Sequence, residues 1–145
     1  MGIVLVVLQI TLIFVLAILA SLHSLSQTPG VTGVVLLIIS AIIGIWAITA
    51  NRPGNFSVLP LPKQHAQLIT HGPYRWIRHP MYTSVLLFGL ACASVLGTPL
   101  GVSLWIALVI TLSLKARLEE QYLLQSFEAY GQYMQRTGRF LPKLI

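Results

Sequence analysis

The chain is 145 residues long, 56% hydrophobic and only 8% charged, with a formal net charge of +6 and a mean hydropathy of +0.83. A water-soluble domain carries about 25% charged residues, so this composition excludes an ordinary soluble fold. Disorder needs low hydrophobicity and a disulfide scaffold needs paired cysteines, so a chain this apolar with Cys92 alone is neither.

The charged residues fall in two windows, Asn51 to Pro80 and Lys115 to Ile145. Before the first window, Gly2 to Leu22 offers only Gln9, Thr11 and Ser21 as polar groups, long enough to cross a hydrocarbon layer of ~30 Å as a helix. A turn from His23 to Gly30, broken by Pro29 and Gly30, leads into a second span, Val31 to Ala50. Between the charged windows, Met81 to Leu96 and Leu100 to Leu114 form a third and fourth span, hinged at Gly97, Thr98 and Pro99 and short for a full crossing. Lipid supplies no partner for bare backbone groups, so all four are helices. The expected fold is an all-α polytopic membrane protein in one domain, with residues 1–50 as two N-terminal spans and 51–145 as the core.

Every Lys and Arg lies in the middle loop or the C-terminal tail, which places both of these, and both termini, on the cytoplasmic side. The N-terminus lacks the basic start of a secretory signal and reads as an anchor. Small residues at helical spacing, Gly89, Ala93 and Gly97 in one set and Gly33, Ser40, Gly44 and Ala47 in another, allow close helix contact within one bundle or between subunits. Cys92, among the first set, is expected to be buried.

Chemistry concentrates in Leu68 to Tyr82, LITHGPYRWIRHPMY, at the border of the loop and the third span. Interfacial anchoring accounts for its Trp, Tyr and Arg residues. It does not account for Pro73 and Pro80, the second of which fits the first turn of a helix, where a missing N–H costs nothing. Farther on, Lys115 to Gln135 carries Ala116, Leu123, Phe127, Tyr130 and Met134 on one helical stripe, with Glu120 on it too. An acid facing packed apolar surface is costly unless paired, so Glu120 calls for a cationic partner. The competing account puts both acids in helix ion pairs, Lys115 with Glu119 and Arg117 with Glu120, worth only about 0.2–0.5 kcal/mol each.

Gly72-Pro73-Tyr74-Arg75 followed by Arg78-His79-Pro80-Met81-Tyr82 resembles the signature of the isoprenylcysteine carboxyl methyltransferases and their bacterial relatives within the phospholipid methyltransferase superfamily. Glu119-Glu120, Leu123, Phe127, Tyr130, Tyr133, Arg136 and Arg139-Phe140-Leu141-Pro142 follow that family's C-terminal order, so the resemblance runs from about Asn51 to Pro142. One departure is Arg136-Thr137-Gly138, where relatives often have Arg-Val-Pro. The resemblance implies methyl transfer from S-adenosylmethionine, leaving S-adenosylhomocysteine, in a prokaryotic inner membrane with a cytoplasmic active site. On this footing the cofactor-binding candidates are His71, Gly72, Pro73, Tyr74, His79, Pro80, Tyr82, Glu119, Glu120 and Phe127. The catalytic candidates are Arg78, Arg136 and His79: the arginines to hold an acceptor carboxylate, the histidine to take a proton if the acceptor is an amine or thiol.

The expected partners are membrane lipids and a lipophilic acceptor, with no nucleic acid. O-methylation of a carboxylate is the first reading and phospholipid or amine N-methylation its variant. A membrane reductase using NADPH, similar to sterol reductases in its C-terminal part, and a non-catalytic packing protein are the alternatives. His65, His71 and His79 are irregularly spaced and lack cysteine partners, so no metal site is expected; His23 and His65 read as solvated loop residues. Arg139 and Lys143 read equally well as ligands of headgroup phosphates.

Overall fold

The computed structural model describes residues 2–26, 28–51 and 67–143, so His65 and most of the middle loop lie outside the described residues. Among the described residues five α-helices follow in chain order: α1 (Gly2–Ser24), α2 (Val31–Ala50), α3 (Pro80–Leu96), α4 (Pro99–Ser126) and α5 (Tyr130–Arg136). A 3-10 turn, Gly72–Arg75, precedes α3. The chain is an all-α polytopic membrane protein: α1, α2 and α4 are long and apolar enough to cross a membrane, and α3, at 17 residues, is shorter.

The helix ends follow from local chemistry. Pro80 opens α3 and Pro99 opens α4, each in the first turn, where a missing N–H is harmless. Gly97, at φ 60°, takes the left-handed conformation that closes α3, and the Thr98 hydroxyl then accepts the Gly101 N–H at 3.3 Å to cap α4. The third and fourth helices are thus a tight hairpin, as the Gly-Thr-Pro hinge predicts.

Helix α3 is the central element, packed against α1, α2 and α4, while α1 also lies along α4. Leu12, Leu16, Ala20, Cys92, Leu108 and Leu112 form the core where α1, α3 and α4 meet. The small residues of α2 serve contacts inside the bundle. A Cβ on Gly44 would lie 2.7 Å from the Ser84 Oγ, and the Ser40 and Ser84 hydroxyls each donate to the other's carbonyl at 2.8 Å. Burial departs from that of a water-soluble protein: around this apolar core, Ile3, Phe14, Ile42 and Ile45 are exposed, whereas Ser40, Thr83, Thr111, Lys115 and Glu120 are buried.

Two boundaries differ from the sequence expectation. Helix α1 continues through Ser24, so half-buried His23 belongs to its last turn rather than to a loop. The fourth span and the start of the tail form one 28-residue helix, and the break falls at Phe127, whose backbone is extended. At ~1.5 Å per residue α4 is about 42 Å long, so its charged end projects beyond a hydrocarbon layer of ~30 Å. At Lys115 the chain changes from apolar to charged, but no Pro or Gly stands there to stop the helix.

Candidate active site

The N-terminal ends of α1 and α3 and the C-terminal ends of α2 and α4 gather at one end of the bundle. The Lys115 ammonium donates to Gln9 Oε1 at 2.9 Å, tying α4 to α1, and Gly72 lies against Ala50 and Trp46 of α2. The 3-10 turn brings the chain across this end, buries Pro73 and leads into α3.

The tail returns to that turn by backbone pairing. Ile77 and Gly138 form a parallel bridge: the Gly138 N–H donates to the Trp76 carbonyl at 3.0 Å, and the Arg78 N–H to the Gly138 carbonyl at 2.8 Å. One residue on, the His79 N–H donates to the Arg139 carbonyl at 3.1 Å, and the Thr83 hydroxyl to the Phe140 carbonyl at 2.7 Å. A strap of residues 137–140 therefore lies over the start of α3. The departure at Gly138 fits this strap, because a Cβ there would collide with the Leu141 carbonyl and a proline would remove the donor to Trp76.

Beneath the strap, Glu120 is 3% exposed and holds two arginines. Arg78 Nε donates to its Oε1 at 2.8 Å, while Arg139 donates through Nη2 to Oε2 at 2.5 Å and through Nε to Oε1 at 3.2 Å. The Arg78 Nη1 donates to the tail, to the Met134 carbonyl at 3.1 Å and to the Thr137 carbonyl. The cationic partner expected of Glu120 is thus a pair of arginines, and hydrogen bonding to Glu120 raises the Arg139 pKa. Arg139 engages a carboxylate of its own chain, and Lys115 bonds to Gln9 rather than pairing with Glu119.

His79 sits between the two glutamates. Its Nδ1 lies 3.7 Å from Glu119 Oε2 and its Nε2 3.3 Å from Glu120 Oε1, the latter off the direction of a hydrogen bond. Its ring stacks on Tyr82 with centroids 5.2 Å apart and planes 4° from parallel; the Tyr82 hydroxyl donates to Glu119 Oε2 at 2.8 Å. The Lys115 ammonium lies 5.2 Å from the centre of the same Tyr82 ring. Tyr74 joins from the turn, its carbonyl accepting from the Tyr133 hydroxyl at 2.6 Å; burial, then the Glu119 charge, push its phenol up to about 12.

Arg78, His79, Pro80, Tyr82, Glu119 and Glu120 therefore meet in one cluster, with Tyr74 and the Gly72-Pro73 turn along its edge. Three candidates stand apart. His71 and Arg136 are exposed, and Phe127 caps α4 with its N–H on the Leu123 carbonyl; none bonds to the cluster among the described residues. Sequence reasoning passed over Thr137, Tyr130, Lys115 and Gln9. Of these Lys115 carried a signal as a cation at the end of a span, and Tyr130 as a member of the family's C-terminal order.

A family model described as phospholipid methyltransferase matches residues 29–131. Among relatives, the chain is 33% identical over 84 residues to the cobalt-zinc-cadmium resistance protein CzcN of Cupriavidus metallidurans, covering 57% of this chain and 38% of that protein. It is 31% identical over 98 residues to protein-S-isoprenylcysteine O-methyltransferase B of Arabidopsis thaliana, covering 66% and 49%. It is 33% identical over 111 residues to a probable protein-S-isoprenylcysteine O-methyltransferase of Oryza sativa subsp. japonica, covering 74% and 58%. The chain thus spans between 38% and 58% of the length of these relatives.

Proposed function

The chain belongs to the phospholipid methyltransferase family, and from that premise we propose that it transfers a methyl group from S-adenosylmethionine to a membrane-dissolved lipophilic acceptor, preferentially onto a carboxylate oxygen. The observation that carries this reading is the meeting of His79, Tyr82, Glu119 and Glu120 beside a strap of the tail, a largely buried polar cluster at the end of an apolar bundle. The positive-inside pattern supports a cytoplasmic position for this end, the side on which the methyl donor is made. The names of the plant relatives support a carboxyl acceptor attached to an isoprenoid.

The residues suit the donor's chemistry. S-adenosylmethionine supplies a methyl group on a positively charged sulfur, beside an amino group, a carboxylate and a flat base. Glu119, the more exposed of the two acids with a side chain 32% accessible, offers negative charge to a cationic ligand. The parallel His79 and Tyr82 rings offer aromatic surface. Glu120, with both oxygens given to arginines, holds the cluster together, and Arg78 braces α4 to the tail. Arg136, exposed and without a hydrogen bond or ion pair among the described residues, is the arginine free to hold an acceptor carboxylate.

A carboxylate attacking a methyl group needs no general base. The chain's contribution is then alignment and exclusion of water, which in well-ordered systems supply about 7 to 11 kcal/mol. An amine acceptor has a proton to lose, and His79, held between two carboxylates, is the group placed to take it.

Detergent-purified protein should bind S-adenosylmethionine, and labelled donor should transfer its methyl group into a lipid extract as a base-labile ester. Binding of NADPH with no binding of S-adenosylmethionine would overturn the reading in favour of a reductase. A base-stable labelled amine would move the acceptor from carboxylate to nitrogen.

A further inference from the structure

Tyr130 lies in α5, 1% exposed, and its hydroxyl has no hydrogen-bond partner among the described residues. The Nε2 of His79, in a residue 7% exposed, is the other buried side-chain atom in that condition. Buried polar atoms are nearly always satisfied, and two exceptions at one end of one molecule call for a cause. Both adjoin the same charges. His79 Nε2 is 3.3 Å from Glu120, and the pKa of Tyr130 is raised by burial first and the Glu120 charge second, so the phenol keeps its proton and remains a donor. Three cations, Arg78, Arg139 and Lys115, stand here against two carboxylates, Glu119 and Glu120, which leaves the cluster one negative charge short.

We infer that the Tyr130 hydroxyl is a donor for the carboxylate of a bound small molecule, so that Tyr130 is a ligand-binding residue of this site. The inference rests on the methyl-transfer reading, in which donor and acceptor alike bear a carboxylate. Tyr133, three residues on, supplies the contrast: its hydroxyl is used within the fold, on the Tyr74 carbonyl at 2.6 Å. Tyr130 spends its hydroxyl on nothing in the protein and buries it all the same.

The test compares Tyr130→Phe, Tyr133→Phe and the parent protein in detergent. Three quantities are measured: the thermal midpoint without ligand, affinity for S-adenosylhomocysteine and for its decarboxylated analogue S-adenosyl-3-thiopropylamine, and KM for S-farnesylcysteine at saturating donor. If the donor's carboxylate is held, Tyr130→Phe binds S-adenosylhomocysteine about tenfold more weakly or worse, binds the decarboxylated analogue as the parent does, and melts no lower. If the acceptor's carboxylate is held, both nucleosides bind as before and the KM for S-farnesylcysteine rises by about tenfold. Tyr133→Phe lowers the midpoint in either case. The inference is overturned if Tyr130→Phe leaves affinity and KM unchanged, or if both nucleosides weaken equally while the midpoint falls. Failure of the parent protein to bind any of these ligands counts instead against the methyl-transfer reading.

Discussion

Replacing Glu120 by Gln tests the centre of the structure. The carboxylate accepts from Arg78 at 2.8 Å and from Arg139 at 2.5 and 3.2 Å, with a side chain only 4% exposed. Gln keeps the shape but turns an NH2 group toward a guanidinium, so at least one of these hydrogen bonds is lost and both arginines lose the opposing charge. Arg78, with a side chain 10% exposed, cannot recover that loss from water, whereas Arg139, at 31%, can turn outward. Removing one partner of a buried ion pair costs about 3–5 kcal/mol, while breaking an exposed one costs about 0–1 kcal/mol. Glu120→Gln should therefore lose about 3–5 kcal/mol and Arg139→Ala clearly less. The double variant Arg78→Met with Glu120→Leu should regain much of the Glu120→Gln loss, since apolar side chains can replace a whole buried pair. Denaturant titration of the purified protein followed by circular dichroism gives these values, and limited proteolysis reports whether the strap of residues 137–140 has come loose. The reasoning is refuted if Glu120→Gln is as stable as the parent, or if Arg139→Ala costs as much as Arg78→Ala.

Gly138→Ala should lower the thermal midpoint, since the new methyl meets the Leu141 carbonyl; overpacking of this kind costs about 1–3 kcal/mol, and an unchanged midpoint would contradict the strap geometry. Stability should also fall at alkaline pH. The Tyr74 phenol is raised in the folded chain to about 12 against about 10 unfolded, so its contribution is complete below pH ~10 and disappears as the pH climbs toward ~12. Tyr74→Phe should show a shallower fall of midpoint over that window, and equal slopes in the two proteins would remove Tyr74 as the cause. Between α2 and α3, a double-mutant cycle of Ser40→Ala and Ser84→Ala should give a coupling of about 0.6–1.7 kcal/mol, and strict additivity would show that the paired hydroxyls do not stabilise the contact.

Much of this arrangement was legible in the residues. Proline at position 80 placed the start of α3, the Gly97-Thr98-Pro99 hinge placed the hairpin, and an acid on an apolar stripe required the cation that Arg78 and Arg139 provide. The helical spans follow from charge placement and the nearness of His79 to Glu120 from the family resemblance, whereas the Arg78–Glu120 bond does not, since the sequence assigns Arg78 to an acceptor carboxylate. The strap was not legible, because it is held by the backbone groups of Trp76, Arg78, His79, Gly138 and Arg139, and amide pairing leaves little trace in side-chain identity. The length of α4 was missed because a change in solvent was read as a change in backbone. Gln9 looked like a stray polar residue in a span until Lys115, more than a hundred positions away, gave it a use.

The strap also fixes when in the protein's life the cluster can be completed. Residues 137–140 are synthesised after α1 to α4, and the amides that close over Arg78 and His79 belong to them. A nascent chain can therefore thread its helices into the bilayer with the Arg78 and His79 amides still unpaired, gaining their cover only once the ribosome has released this stretch. A premature stop after Ser126 would leave a protein that inserts, keeps the Ser40–Ser84 contact and carries Glu120 and Arg78 with neither Arg139 nor a cover.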